Sequence, residues 1–330
     1  MENQEETKEA PLHWSQHREH AAGYGPLKFL IILFRFFPVL ILRIIAFPVG
    51  FFYFLFSGSA RSESRRFLRK IVPLIEDPSL AKKCRSVFGP LRHIISFALA
   101  IVERIQSWGG KYSYKDIFAQ DDDSDELKRG LEKGQGAFLI FSHLGNAELL
   151  RGLLNMDQTG VSRKIPVTAI IDTKVSAHFS RMLKELNPQS DMDIIGAADV
   201  GPHSAALLEE KIAGGGMVMI TGDRTSRDGK NIMLPFLGKE APFPSGVFYL
   251  ATLMNAPVYF VFGLRRKDLS LRPEYNMFVH KSPLSFDCPR KERLKLSSIL
   301  AASYVELLER YCREKPYQWY NFFDFWQEGA

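Results

Sequence analysis

Apolar residues fill one early segment of this chain almost without interruption. Residues 27–56 contain few other side chains, namely Lys28, Arg35, Arg43, Pro38 and Pro48. The segment is longer than the ~20 residues needed to cross a hydrocarbon core. It is also too long, and begins too deep in the chain, for a cleaved signal peptide, and no small-residue cleavage site follows it. We interpret it as a membrane anchor rather than as the core helix of a soluble protein.

The charged residues in and after this segment refine the interpretation. Arginine is costly at mid-bilayer, so Arg35 and Arg43 are expected to snorkel to the interface or to face protein. The two prolines leave open a kinked span or a shallow helical hairpin that never crosses. Basic residues follow immediately, at Arg61, Arg65, Arg66, Arg69 and Lys70. Their excess predicts a cytoplasmic location for the C-terminal part and contact with an anionic phospholipid surface.

Beyond the anchor, hydrophobic periodicity predicts helices over residues 62–110, clearest at 91–102, and then a regular alternation of strands and helices. An acidic turn at 120–126 is expected to cap a helix that runs to Lys133. The predicted strands are Phe138–Ser142, Ile165–Ile171, Met192–Ile195, Met217–Thr221, Val258–Leu264 and Leu269–His280. The predicted helices between them are Ala147–Met156, Ala177–Leu186, Ser204–Ala213 and Ser245–Leu253, and a last helix covers Arg290–Arg313.

This alternation indicates an α/β fold in which helices flank a mostly parallel central sheet, behind the N-terminal apolar anchor helix. We therefore divide the chain into a polar N-terminal arm (1–26), the anchor (27–60) and one catalytic domain (61–330). No internal repeat or clear linker follows residue 110. The terminal aromatic residues Trp319, Tyr320 and Trp326 are expected to pack the last helix onto the sheet, with an interfacial aromatic belt as the alternative.

Composition narrows the class of protein. The 330 residues are 46% hydrophobic, which suffices for a large core, and the formal net charge is +6. A positive charge suits nucleic acid or phospholipid headgroups. We favour headgroups, because the basic residues follow an apolar segment and are not interleaved with aromatic side chains. The three cysteines, Cys84, Cys288 and Cys312, have no metal-ligand spacing and form no even disulfide framework, so a reducing compartment is expected.

The first candidate for chemistry is a histidine where a predicted strand ends. His143 follows the apolar run 136–141, and Glu148 lies five residues later, at the start of a predicted helix that Asn146 can cap. Catalytic groups gather at the carboxyl ends of strands in α/β sheets. We predict that His143 is a general base and that Glu148 orients it. The alternative is a histidine bonded to a backbone carbonyl, with the glutamate on a solvated helix face.

Two further polar turns are candidates for substrate binding. Asp223 and Arg224 follow the strand 217–221, where an arginine can hold a phosphate with two hydrogen bonds. Ser245 and Gly246 open a predicted helix whose free N–H groups suit an anion or a carbonyl oxygen. Ser245 is not in the G-x-S-x-G context of a hydrolase nucleophile. A salt-bridged surface turn and an ordinary proline-rich connection are the respective alternatives.

Taken in order, these elements resemble a known family. An apolar anchor, a basic helix, His-Leu-Gly-Asn-Ala-Glu (143–148), Gly-Asp-Arg (222–224), Phe-Pro-Ser-Gly (243–246) and a terminal Gln-Trp-Tyr-Asn-Phe (318–322) follow one another. The chain is similar over residues 14–326 to the late acyltransferases of lipid A biosynthesis, within the lysophospholipid acyltransferase superfamily. Asp223 matches the acidic position of the family's second block, where Asp-Gln is more usual than Asp-Arg. This departure leaves the acceptor open, with lipid A itself, aryl polyene lipids, ornithine lipids and other glycolipids as alternatives.

The resemblance implies acyl transfer from an acyl thioester to a hydroxyl or amine of a lipid A-like or other glycolipid, without metal or cofactor. His143 would be the general base and Glu148 its orienting partner. Fixed donors for the oxyanion are expected near Gly145 or the turn 243–246, so that Phe243, Ser245 and Gly246 line the substrate. The family's basic residue after the next strand corresponds to Lys174 or Arg181. By analogy the co-substrate is acyl-ACP rather than acyl-CoA, which makes acyl carrier protein and a membrane lipid acceptor the partners.

Two other functions stay open. A glycerophospholipid (lysophospholipid) acyltransferase would use the same base, but its usual phosphate block is replaced here by Phe-Pro-Ser-Gly at 243–246. A catalytically inactive, membrane-bound module that binds a lipid or a carrier protein is the second alternative, and the presence of both His143 and Glu148 argues against it. The location implied by the resemblance is the cytoplasmic face of a bacterial inner membrane.

Overall fold

The computed structural model of the chain describes residues 32–34, 36–108, 117–119, 122–146, 149, 161–171, 193–225 and 230–326. Residues 32–34 and 36 are helical, and four helices follow them: α1 (Val39–Phe56), α2 (Gly58–Ile71), α3 (Pro78–Arg85) and α4 (Gly89–Trp108). Helix α3 begins at Pro78, and the Asp77 carboxylate caps it by accepting from the Ser79 N–H at 2.8 Å. The helical prediction for 62–110 is therefore confirmed within the described residues, as three separate helices.

A seven-stranded sheet forms the centre of the molecule. Its strands are β1 (Ile117–Ala119), β2 (Ala137–Gly145), β3 (Val167–Ile171), β4 (Asp193–Gly196), β5 (Met217–Thr221), β8 (Val258–Arg265) and β9 (Tyr275–Lys281). Their order is β1-β9-β8-β2-β5-β3-β4, and every pairing is parallel except that of β8 with β9. The mostly parallel α/β fold predicted from the sequence is confirmed.

Helices cover both faces of this sheet. They are α5 (Asp122–Glu132), α6 (Pro202–Ala213), α7 (Ser245–Ala251) and α8 (Arg290–Glu314). One face packs against α7, α8 and the C-terminal aromatic residues, and the other packs against α5. The strand residues alternate accordingly, with Phe138 and Ile140 in the first core and Leu139 and Phe141 in the second. The predicted helices at 147–156 and 177–186 lie outside the described residues, apart from the helical Leu149.

A two-stranded hairpin lies where the sequence predicted no strand. Strands β6 (Asn231–Phe236) and β7 (Lys239–Pro244) pair antiparallel, and β7 leads directly into α7. Leu237 and Gly238 both have positive φ, as a tight two-residue hairpin turn requires. The prolines of these strands misled the prediction, although a two-stranded ribbon has edges on which proline is tolerated. Phe236 and Phe243 turn inward and pack edge-to-face against each other and against Phe325.

The apolar segment near the N-terminus forms α1, whose mean hydropathy is 2.3. It is the single helix within the described ranges that is long and apolar enough to cross a membrane. Its inner face packs on α4, where a Cβ at Gly50 would approach Ile95 within 3.0 Å. Arg43 lies on this inner face and donates to the Leu271 carbonyl at 2.9 Å and to the Gln106 side chain. This arginine therefore faces protein, as one of the two expectations stated.

Candidate active site

The candidate site begins where β2 leaves the regular ladder of the sheet. The pairing of β2 with β8 shifts register between Phe141 and Gly145, and His143 lies within this irregular stretch. Gly145 has φ +74°, and a Cβ there would lie 2.1 Å from the Gly263 carbonyl oxygen. Only glycine allows the two strands to approach this closely. Because of this irregularity, the direction of the His143 side chain is not set by the regular alternation of side chains along β2. His143 lies at the carboxyl end of the sheet.

The neighbouring strand β5 ends at the same edge and brings an acid to this histidine. Gly222 follows β5 and donates its N–H to the Phe141 carbonyl at 2.8 Å. The Tyr304 hydroxyl donates to the same carbonyl at 2.8 Å. A Cβ at position 222 would lie within about 3.0 Å of both Ile140 and the Tyr304 ring, so a glycine is needed here. These contacts fix the next residue, Asp223, beside β2.

Asp223 and His143 form a tightly bonded pair. The His143 Nδ1 lies 2.7 Å from Asp223 Oδ1, and the His143 backbone N–H donates to Oδ2 at 2.6 Å. The Trp319 indole N–H also donates to Oδ2, at 3.4 Å. The Asp223 side chain is fully buried, whereas the His143 side chain keeps 25% of its surface exposed. Because Nδ1 is occupied, the second ring nitrogen, Nε2, is the atom left to meet a substrate.

The surroundings favour the neutral form of the imidazole and the ionised form of the carboxyl. Burial and the positive charge of Arg224 lower the pKa of His143 below its ordinary value of 6.5, against the opposing effect of Asp223. Burial of the Asp223 carboxyl opposes its ionisation, but the charge and hydrogen bonds of His143 outweigh burial, so the Asp223 pKa lies below its ordinary value of 3.8. At neutral pH the pair is thus a neutral imidazole held by a carboxylate, the state that a general base requires.

The comparison with known families is decisive for the class of protein. The family model for the bacterial lipid A biosynthesis acyltransferases matches residues 28–328, nearly the whole chain. The chain belongs to this family. The search of curated proteins gave no match. Membership of the lipid A acyltransferase family implies that the protein is an acyltransferase. Members of this family are typically membrane-associated.

Set against this family, the structure locates some of the predicted site residues and not others. Glu148, Lys174 and Arg181 lie outside the described residues, so the orienting role of Glu148 stays a prediction. The sequence placed Asp223 among the substrate-binding residues. Its carboxylate instead bonds to His143 and Trp319, and it is closed to solvent. This difference arises because β5 lies next to β2 in the sheet, an adjacency that the sequence does not reveal.

Arg224 is the predicted binding residue that directly follows Asp223 in the chain. Its guanidinium carbon lies 5.3 Å from the centre of the Phe323 ring, and its charge acts on His143. Arg104 of α4 contributes a weaker effect of the same sign. Asn146 ties β2 to α4, since its Nδ2 lies 3.5 Å from the Ser107 hydroxyl. The positive charges of Arg224 and Arg104 therefore both act against protonation of the histidine.

The Phe-Pro-Ser-Gly block divides into buried and exposed residues. Phe243 is fully buried in the aromatic core beside Phe236 and Phe325, which gives its ring a packing role in place of the expected contact with substrate. Ser245 donates its hydroxyl to the Lys230 carbonyl at 2.8 Å. Gly246 is exposed in the first turn of α7. An oxyanion role for Gly145 or for this turn stays a prediction.

Two contributors to the site were missed by the sequence analysis. Tyr304 of α8 anchors the end of β2, and burial together with nearby Asp223 raises the pKa of its phenol well above 10, so it remains protonated. Trp319 donates to Asp223, and its own carbonyl bonds the His93 ring at 3.0 Å. Both are distant in sequence from His143. The terminal block 318–322 includes Trp319, but its contact with Asp223 could not be predicted from the sequence. Among the described residues, no group of three or more His, Cys, Asp or Glu side chains could hold a metal ion.

Proposed function

We propose that this protein transfers a fatty acyl chain from an acyl thioester to a hydroxyl or amine of a lipid A-like or other glycolipid acceptor. One observation carries the proposal. A histidine whose pKa is lowered is held through Nδ1 by a buried carboxylate, and its side chain is partly open at the carboxyl end of a parallel sheet. Family membership supplies the reaction class.

The proposed reaction needs only the acyl thioester and the acceptor, because the proton that leaves the acceptor is returned to the leaving thiolate. The His143 Nε2 accepts the proton of the acceptor hydroxyl or amine while that atom attacks the thioester carbon. The tetrahedral intermediate then collapses, the carbon–sulfur bond breaks, and the imidazolium returns the proton to the leaving thiolate. Asp223 holds the ring in one tautomer and stabilises the imidazolium that forms transiently, as a carboxylate does in a catalytic triad. Glu148 stays a second candidate for this positioning role.

The surrounding charge supports a phosphate-bearing acceptor and an acidic donor. The charge of Arg224 acts on His143, and a guanidinium binds phosphate with two hydrogen bonds. Lys174, Arg181, Ser245 and Gly246 remain the other proposed substrate contacts. The net charge of +6 complements an acidic carrier protein, which favours acyl-ACP over acyl-CoA as donor. We place the protein at the cytoplasmic face of a bacterial inner membrane, on the apolar α1 and the basic residues that follow it.

The test is acyl transfer by the purified full chain in detergent micelles. Acyl-ACP and acyl-CoA are supplied in parallel, each with a lipid A precursor, a bacterial lipid extract or a lysophospholipid, and products are identified by mass spectrometry. We expect acylation of a glycolipid from acyl-ACP, and His143→Ala should lower the rate by about 10²–10⁴-fold because the general base is lost.

The matched control is His203→Ala, which removes an exposed histidine of α6 and should leave the rate unchanged. Acylation of the lysophospholipid alone would replace the proposed acceptor class with a glycerophospholipid. No product with any pair, together with tight binding of carrier protein or lipid, would indicate an inactive binding module. A His143→Ala variant that keeps most of its turnover would refute the proposed base.

A further inference from the structure

The outer face of α1 is an apolar stripe that no described part of the molecule covers. Its large exposed side chains are Leu40, Ile41, Ile44, Ile45, Val49, Phe51, Phe52, Leu55 and Phe56. The opposite face, which includes Leu42, Ala46 and Gly50, is buried on α4. The helix is therefore divided lengthwise, with one side in protein and one side exposed, as in helices that lie in a membrane interface.

The packing of α1 fixes its direction relative to the catalytic domain. Arg43 near its start contacts Gln106 near the end of α4, and Gly50 contacts Ile95 in the middle of α4. The two helices are therefore antiparallel and lie side by side. Arg43 also donates to the Leu271 carbonyl, in the connection between β8 and β9. Consequently, α1 lies along the body of the domain and does not project from it.

This arrangement is incompatible with a helix that stands across a bilayer. The 18 residues of α1 extend about 27 Å, close to the ~30 Å of a hydrocarbon core. If α1 crossed that core, α4 beside it would be immersed to the same depth, with the exposed Arg92 and the partly exposed Arg104. The sheet would be drawn into the bilayer as well, because Glu103 of α4 is paired with Arg265 of β8 at 2.6 Å. Such charges in hydrocarbon are costly.

A second apolar feature lies at one end of the stripe. Val87 and Phe88, at the corner between α3 and α4, are 73% and 62% exposed. The chain bends by 96° here, and the corner is tight, because a Cβ at Gly89 would lie 2.4 Å from the Cys84 carbonyl oxygen. Since α1 and α4 are antiparallel, this corner lies at the same end of the helix pair as Phe56, which is 83% exposed.

Positive charge surrounds this corner. The exposed basic side chains on either side of it in sequence are Lys82, Lys83, Arg85 and Arg92. The apolar Val87–Phe88 corner can contact acyl chains while the surrounding lysine and arginine side chains contact anionic headgroups. A protein partner would need a matching acidic rim, whereas a leaflet of anionic lipid supplies both the apolar and the charged complement over the full length of α1.

We propose that the protein lies on one leaflet of an anionic bilayer without crossing it. The exposed face of α1 lies in the membrane plane, the Val87–Phe88 corner inserts at its C-terminal end, and the basic residues of α3 contact the headgroups. The proposal rests on the membrane location proposed above, but not on acyl transfer. It also places the end of α4 that contacts both Arg43 and Asn146 between the leaflet and the strand that carries His143.

The first experiment distinguishes an in-plane helix from a spanning one. The full chain carries one epitope tag before Met1 and another after Ala330, and intact spheroplasts are treated with an added protease. An in-plane α1 keeps both tags on the same side, so both survive until the cells are lysed. Loss of the N-terminal tag alone in intact spheroplasts would show that α1 spans the membrane and would overturn the proposal.

The second experiment tests the corner. The purified chain is floated with vesicles of phosphatidylglycerol and phosphatidylethanolamine, or of phosphatidylcholine alone. The double substitution Val87→Ser and Phe88→Ser should raise the anionic lipid concentration needed for half-binding by at least about tenfold. Phosphatidylcholine should raise that concentration for the unchanged protein by a similar factor. The control is Leu294→Ser, an exposed leucine in the first turns of α8.

Thermal unfolding of each variant verifies that it is folded, as expected for substitutions at exposed side chains. Equal vesicle binding by the double variant and the unchanged protein would refute insertion of the corner. A change in oligomeric state without any change in vesicle binding would refute it as well, since the corner would then bind a second copy of the chain. Both measurements are made without acyl donor, so their failure is separate from a failure of the proposed reaction.

Discussion

The pair of Asp223 with His143 and the pair of Glu103 with Arg265 combine the same kinds of group, a carboxylate and a nitrogen base, in different surroundings. Asp223 is closed to solvent while His143 is 25% exposed, whereas both side chains of the second pair are at most 2% exposed. The first pair lies at the carboxyl end of the sheet. The second pair joins α4 to the end of β8.

The neighbours of each pair deepen the contrast. The second pair is enclosed by protein groups: Tyr275 donates to Glu103, and Arg265 Nη1 lies 3.3 Å from the Ser96 hydroxyl. Burial opposes the charge of Arg265, but Glu103 outweighs burial, so the Arg265 pKa is raised above its ordinary value and the side chain stays charged. The His143 pKa is lowered instead. The first pair presents a partly exposed imidazole, and the second is a buried ion pair that links two elements.

Asp223→Asn should give the largest effect on catalysis. The amide cannot stabilise an imidazolium, and it no longer holds a single tautomer of His143, so we expect the acyl transfer rate to fall by about 10²–10⁴-fold. Steady-state rates in detergent micelles measure this loss, and circular dichroism verifies the fold.

The control for the same chemical change is Asp193→Asn, which alters an exposed ion pair with Lys211 and should leave the rate unchanged. Glu148→Gln is measured in parallel because the sequence assigns the orienting role to that residue. A large loss in Glu148→Gln combined with near-normal turnover in Asp223→Asn would return the role to Glu148.

Arg265→Met should give the largest effect on stability. The substitution leaves the Glu103 carboxylate buried without its cation, which typically costs about 3–5 kcal/mol of the free energy of unfolding. Arg266→Met is the matched control at the adjacent position, because Arg266 and Glu274 are 42% and 53% exposed and such surface pairs contribute about 0–1 kcal/mol. Urea unfolding compares the three proteins.

A double variant separates charge from packing at this second pair. Adding Glu103→Leu to Arg265→Met removes the unpaired charge and should recover most of the lost stability, since apolar replacements of whole buried pairs are often neutral. If the double variant is as unstable as Arg265→Met alone, the loss of stability comes from the lost hydrogen bonds of Tyr275 and Ser96. The unpaired Glu103 charge would then not be its cause.

The sequence predicted those parts of the fold that depend on local patterns. Met217–Thr221 is a strand with the predicted bounds, and β2, β3, β4 and β8 begin and end within three residues of the predicted positions. The last strand begins at Tyr275 rather than at Leu269, because Leu269 has a positive φ that a strand does not accommodate. Residues 241–244 were missed as a strand because of their prolines.

The candidate site also divides into features that depend on local sequence and features that depend on the packing of distant elements. His143 could be predicted from its place at a strand end, which is a local feature. Its bond to Asp223 joins residues 80 positions apart and depends on the order of strands in the sheet. Glu148 is the acid that lies close to His143 in the sequence. The fixed pair of Glu103 and Arg265 carried no sequence signal, because neither residue stands out before α4 is packed beside β8.

The smallest predicted effect concerns pH, and it tests whether Arg224 tunes His143. The base is active when neutral, so kcat/KM should fall on the acidic side with a midpoint below 6.5. Arg224→Gln removes a positive charge that disfavours the imidazolium, so the His143 pKa should rise and the acidic limb should move to higher pH. Profiles of kcat/KM against pH for the unchanged protein, Arg224→Gln and the distant Arg266→Gln measure this shift. An acidic limb that stays in place, or that moves to lower pH, would show that Arg224 does not act on the base through its charge, and it would leave phosphate binding as the role to test at that residue.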